Sequence, residues 1–244
     1  MKVVVAPQTP EALAVILERC KEVGVAPVLS GTNFNVDQVS QDGRCRVTFE
    51  TSTRRYEKIW LGLRGRHQIE NAALAIQLAE ILGTQRFSIS QSAIATGLEG
   101  ARHPGRLELI GANPAFLLDG AHNVAGARTL QGFLEEFATR PLTMVFGAMR
   151  DKRIEEIAEV LFPLADQLIL SPVQNPRAAS IERLSQVAKK FDRGQIKNVA
   201  SSSDAITLAT QTTAKCGMIC VTGSLYLIGE TRGLIINRSE SVSA

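Results

Sequence analysis

The run Leu117-Leu118-Asp119-Gly120-Ala121-His122-Asn123 concentrates more chemistry than any other stretch of this 244-residue chain. An apolar run ends abruptly in a carboxylate, a glycine, an imidazole and an amide, and a helix-like segment from Val124 to Phe137 follows at once. In a doubly wound sheet such a point is the carboxyl end of a strand, where side chains project into a ligand crevice. There Asp119 can accept from a ribose hydroxyl or organise a metal-bound water. His122 and Asn123 can bond a substrate carboxylate or phosphate. The competing reading is structural: Asp119 and Asn123 cap the helix that follows.

Three further segments share this density of functional groups. They are Gly65-Arg66-His67-Gln68-Ile69-Glu70-Asn71-Ala72, then His103-Pro104-Gly105-Arg106-Leu107-Glu108, and near the end Thr222-Gly223-Ser224-Leu225-Tyr226. The four segments, in this order, resemble the folylpolyglutamate synthase/dihydrofolate synthase family of the Mur ligase superfamily. Members of that family carry G-x-H-Q-x-x-N-A, P-G-R-x-E, L-D-G-A-H-N and T-G-S-L-Y, and all four are met here without a mismatch. The family's ATP-phosphate loop, G-T-N-G-K-G-S, has no counterpart. Gly31-Thr32-Asn33-Phe34-Asn35-Val36-Asp37 lacks the lysine, the second glycine and the magnesium-binding hydroxyl that cradling a triphosphate requires, and it reads as the family's G-x-D-F turn. The chain therefore resembles the carboxy-terminal portion of a longer ligase.

The resemblance implies an α/β fold. A doubly wound, Rossmann-like domain of mostly parallel sheet would occupy residues 104–244, preceded over residues 1–103 by the last part of a central ATP-binding domain. It implies ATP-dependent addition of L-glutamate to folate or dihydropteroate through an acyl phosphate. ATP and Mg2+ would be the cofactors, the metal's ligands lying upstream of this chain, with the missing amino-terminal half as a further partner. By the same resemblance, Arg106 meets the ATP phosphates, Asn71 the adenine and Asp119 the ribose side. His122 holds glutamate or the reacting carboxylate, and Ser224 grips the glutamate α-carboxylate. Physically, a guanidinium offers phosphate a charged fork, and an amide both donates and accepts. Each group also has a structural alternative: Arg106 paired with Glu108, Asn71 as a helix-interior amide sharing a face with Gln68, Ser224 capping a helix. Gly147-Ala148-Met149-Arg150-Asp151-Lys152 resembles the family's G-x-x-x-D-K loop, with Arg153 where an acid is usual. Lys152 reads as a solvated lysine able to attract anionic substrate. The rival to a ligase is a non-catalytic remnant or binding subunit on the same fold. A cell-wall Mur ligase fits less well, since those enzymes write D-Y-A-H-N-P. Without the phosphate loop, the chain alone is expected not to turn over ATP.

Composition narrows the alternatives. Hydrophobic content of 45% and charge of 21% are those of an ordinary globular protein. A net charge of +3 from scattered basic residues leaves no nucleic-acid footprint, and nine Phe, two Tyr and one Trp are too dispersed for a base-stacking platform. No apolar run is long enough to cross a membrane, and the start shows no signal peptide, so the expected location is cytoplasmic. Cys20, Cys45, Cys216 and Cys220 show no metal-binding pattern. The last two, four apart in an apparent strand, read as buried inert thiols.

These groups must be held by regular elements. Strands are expected at Val3–Ala6 and Ala26–Leu29, flanking a helix over Pro10–Glu22 capped by Thr9. A hairpin turns at Asp42-Gly43 between Val36–Ser40 and Arg44–Glu50, and Ile59–Leu63 is a further strand. Helices cover Ile69–Leu82 and Gln91–Leu98. Beyond Pro104-Gly105 strands and helices alternate. The strands are Phe116–Leu118, Leu142–Phe146, Gln167–Leu170, Ile196–Val199 and Met218–Val221, separated by helices over Val124–Phe137, Arg153–Leu161, Ser180–Lys190 and Ser203–Thr213. Five short buried strands separated by helices predict a parallel, doubly wound sheet. Asp119, His122 and Ser224 are then expected to converge on one crevice with Arg106 at its rim. A frayed tail is expected from Ser239.

Overall fold

The computed structural model describes residues 2–85, 87–111, 113–191 and 195–242. The chain divides into two compact units, Met1–Arg102 and His103–Ala244.

The first unit opens with strand β1 (Val3–Val5), helix α1 (Pro10–Glu22) and strand β2 (Pro27–Leu29). Thr9 caps α1 by accepting the Ala12 N–H, Pro10 occupies the first turn, and β1 and β2 pair in parallel, Val4 opposite Val28. An antiparallel sheet follows: β3 (Asn33–Val39), β4 (Arg44–Glu50) and β5 (Arg55–Arg64). The expected hairpin turns at Gly43, whose φ of +79° suits glycine. Asn33 to Asp37, expected as a turn, instead lies in β3. There Phe34 pairs with Phe49 and Val36 with Val47, so cross-strand apolar pairing outweighs the turn-like composition. Helices α2 (His67–Gly83) and α3 (Gln91–Gly100) complete the unit. Ile69, Ala73 and Ile76 of α2 pack on Val47, Phe49, Tyr56 and Leu61 of the sheet.

The second unit carries a six-stranded sheet in the order β10-β9-β8-β11-β7-β6. Its strands are β6 (Glu108–Ile110), β7 (Ala115–Asp119), β8 (Leu142–Phe146), β9 (Gln167–Leu170), β10 (Gln195–Asn198) and β11 (Met218–Thr222). All pairings are parallel except β6, a short antiparallel edge strand on β7 that the sequence did not betray. The helices are α4 (Val124–Phe137), α5 (Ile154–Leu161), α6 (Ile181–Ala188), α7 (Ser202–Thr212) and α8 (Leu225–Val242). Alternation along β11 sends Met218 and Cys220 into one apolar cluster with α4, α5 and α6, and Ile219 and Val221 into another with α7 and α8. The doubly wound α/β architecture expected from the sequence is the one observed. Strand β11 lies between β7 and β8 but sends its helix to the opposite face, which makes their carboxyl ends the switch point. Helix α8 continues to Val242, so the tail is helical well past Ser239; Ser243 and Ala244 lie outside the described residues.

Candidate active site

The carboxyl end of β7 is held by a buried acid. Asp119 is 7% exposed, and its carboxylate accepts the Leu107 N–H on Oδ2 and the Ala121 N–H on Oδ1, both at 2.9 Å. Burial pushes its carboxyl above the usual range, against the opposing pull of the Leu107 amide, Arg106, the Ala121 amide and His122. Asp119 thus grips the residues next to Arg106 on one side and next to His122 on the other. Leu107 needs the grip: it is buried at 2% exposure, with φ +44°, in a left-handed conformation that costs a branched residue of order 1–3 kcal/mol.

Gly120 is the junction of the neighbouring segments. Its N–H donates to the Gly105 carbonyl at 2.9 Å, its own carbonyl lies 2.8 Å from His122 Nδ1, and a Cβ there would stand 2.3 Å from Leu225 Cδ2. A carbonyl only accepts, so Nδ1 carries the proton and Nε2 of the neutral ring is left as an acceptor. The structure therefore brings the Arg106 loop, Asp119, His122 and the start of α8 together. The Arg106 backbone N–H donates to the His103 carbonyl at 3.1 Å, while its guanidinium makes no hydrogen bond or ion pair among the described residues. Glu108, its expected alternative partner, instead takes Arg232 through paired bonds of 2.8–3.0 Å and the Gly105 N–H at 2.8 Å. Ser224 is buried at 2% exposure and accepts the Tyr226 N–H at 3.1 Å, so its lone pair caps α8 and its own proton is left to donate. Asn123 caps α4 by accepting the Gly126 N–H at 2.7 Å.

His122 opens onto a cavity of about 610 Å³ that faces the carboxyl edge of the sheet. Its walls are the first turns of α4, from Asn123 to Arg128, and the segment Asp151 to Glu156 leading into α5. Both helices present unpaired amino-terminal N–H groups and the positive ends of their dipoles.

In the first unit, Asn71 stands at the lip of a separate cavity of about 400 Å³. The lining is almost wholly apolar, including Leu61, Leu63, Ala72, Ala75, Ile94 and Leu98, with the amides of Gln68 and Asn71 as polar groups. Asn71 Nδ2 donates to Gln68 Oε1 at 3.0 Å, which leaves the Asn71 carbonyl oxygen to accept from a ligand. A flat apolar ring with a polar edge fits such a space.

Residues 105–225 match the family described as Mur ligase, glutamate ligase domain. The chain carries a Mur ligase glutamate ligase domain. It is 33% identical over 239 residues, covering 94% of this chain and 54% of the relative, to the dihydrofolate synthase/folylpolyglutamate synthase of Bacillus subtilis. It is 30% identical to the folylpolyglutamate synthase of Lacticaseibacillus casei, covering 93% of this chain and 52% of that one. The folylpolyglutamate synthase of Mycobacterium tuberculosis, solved with ADP, superposes with a TM-score of 0.86 at 28% identity, over 96% of this chain and 55% of its own. The chain spans about half the length of these relatives and corresponds to a carboxy-terminal portion of them.

Several features of the ligase domain escaped sequence reasoning. The Glu108–Arg232 clamp joins residues 124 apart, and nothing local announces it. Arg128 on the cavity wall had a weak signal, a cation one turn inside a capped helix. Cys216, expected to be buried, is exposed, because β11 begins only at Met218; Cys220 is buried as expected. Among the described residues no group of three or more His, Cys, Asp or Glu could hold a metal ion. Nor is any described helix long and apolar enough to cross a membrane.

Proposed function

We propose that the chain supplies the glutamate-ligating domain, and in its first unit part of the central nucleotide domain, of an ATP-dependent ligase that adds L-glutamate to folate or dihydropteroate. The observation that carries this reading is the built site at the switch point. Buried Asp119 holds the backbone next to Arg106 and next to His122, and His122 opens onto a positively biased cavity, in a domain whose family ligates glutamate. ATP supplies the phosphoryl group that turns the acceptor carboxylate into an acyl phosphate. The free Arg106 guanidinium offsets charge on the phosphates, as a fork that always carries its proton. His122 Nε2 accepts a hydrogen bond from the glutamate amine and so orients it for attack, while the amino-terminal amides of α4 meet a carboxylate. Ser224 donates its remaining proton to the glutamate α-carboxylate. Asn71 and the apolar cavity beside it take the adenine ring. Asp119, with both oxygens engaged by backbone, positions the neighbouring segments.

The test joins the chain to an upstream half that carries a phosphate loop and follows radiolabelled glutamate into the folate product. Incorporation that needs ATP and is lost in Arg106→Ala and His122→Gln is expected. The 244-residue chain alone should show no folate-dependent ATP hydrolysis. Hydrolysis by the chain alone, or ligation indifferent to both substitutions, would overturn the reading.

A further inference from the structure

We infer that Arg128 is the specificity residue of this site and binds the side-chain carboxylate of the incoming glutamate. The inference rests on the ligase reading above and adds to it a residue that the sequence did not single out. The cavity beside His122 is lined by five formal charges: Arg128, Asp151, Lys152, Arg153 and Glu156. Four of them cancel in pairs. Lys152 Nζ lies 3.0 Å from Asp151 Oδ2, and Arg153 is paired with Glu156. The Arg128 side chain alone has no hydrogen bond or ion pair among the described residues, so the cavity keeps one uncompensated positive charge. The amino-terminal ends of α4 and α5 add to it.

No structural benefit explains this charge. A cation near the amino-terminal end of its own helix opposes the helix dipole, and an exposed arginine without an acid beside it adds little to stability. Side chains on a helix lean toward its amino terminus, which directs the Arg128 guanidinium from the second turn of α4 back toward His122 and the cavity. The groups there match the substrate one by one. The His122 Nε2 lone pair suits the amine, the α4 amides suit the α-carboxylate, and the Arg128 fork suits the second carboxylate. An amino acid with a neutral side chain would leave the guanidinium unanswered.

The 244-residue chain is titrated by calorimetry with L-glutamate, L-glutamine and inorganic phosphate, alongside Arg128→Gln and Arg128→Lys. Glutamate should bind at least about tenfold more tightly than glutamine, the smallest loss expected for one hydrogen-bonded charge pair. Arg128→Gln should remove that preference by weakening glutamate alone, and Arg128→Lys should restore part of it. Arg128 is exposed, so circular dichroism of both variants should match the parent. Arg128→Gln that keeps the preference would overturn the assignment and leave the ligase reading standing. Phosphate binding as tightly as glutamate would do the same, since the cavity would then be a general anion site. Absence of any glutamate binding by the parent chain would take down both.

Discussion

Replacing Asp119 by alanine removes the buried group from which the site is built. The carboxylate satisfies the N–H groups of Leu107 and Ala121, residues only 2% and 1% exposed. Alanine leaves both donors buried and unpaired, at about 1–3 kcal/mol each. Relief of the cost of burying a carboxylate offsets part of this, as does relaxation of Leu107 out of its left-handed conformation, so a net loss of about 2–4 kcal/mol is expected. Urea unfolding separates the units: Trp60, the single tryptophan, lies in the first unit, so its fluorescence reports that unit, while far-ultraviolet circular dichroism also follows the second. The loss should appear in the dichroism transition and leave the Trp60 transition in place. A shift below about 1 kcal/mol would mean that the two amides find other partners, and the positioning role would fail. The pH dependence gives an independent check. Burial raises the Asp119 carboxyl above its ordinary value of 3.8, so the folded chain holds this proton more tightly than the unfolded one. Its contribution is most favourable below 3.8 and is lost as pH rises through the higher folded value. The stability advantage of the parent over Asp119→Asn should therefore shrink across that interval, and an advantage that grows would contradict the assigned direction.

Arg106→Ala, which removes a guanidinium with no bond among the described residues, should change stability by no more than about 0.5 kcal/mol yet slow ligation by the restored enzyme about 100-fold or more. Comparable losses in urea midpoint and rate would make Arg106 structural. Gly120→Ala places a Cβ 2.3 Å from Cδ2 of half-exposed Leu225, which must turn aside at a cost of about 0.5–1.5 kcal/mol, most of it recovered in the double variant with Leu225→Ala. Additive losses in that pair, measured by thermal unfolding, would refute the close contact. A thiol reagent should modify one cysteine quickly in the native chain, the exposed Cys216, with buried Cys20, Cys45 and Cys220 reacting only on unfolding. Burial also pushes the Cys220 thiol upward, and Cys216→Ser should abolish the fast phase.

Local physics determined much of this molecule from its sequence. Leu142 to Phe146 is an apolar run broken only by Thr143, between Pro141 and Gly147, and it forms a strand with those limits because a parallel strand covered on both faces must be largely apolar. Thr9 and Asn123 were legible as caps, since each needs only the amides of the next turn. The short segments around Asp119, Arg106 and Ser224 could be picked out because their residue types are costly to gather without a use. Tertiary structure alone decided what those groups touch. The sequence order β7, β8 conceals that β11 inserts between them, and that insertion makes the switch point. Strand β6 is three residues long, too short for any periodicity to show, and exists because β7 offers it an edge. His122 could be named from its neighbours, but the nitrogen left free depends on a carbonyl that only the folded turn presents. Arg128 and Lys152 lie 24 positions apart and share a cavity because consecutive helices pack side by side on one face of the sheet. Caps and apolar periods act within a turn or two and can be read along the chain, whereas a cavity is defined by distances that the chain order does not contain.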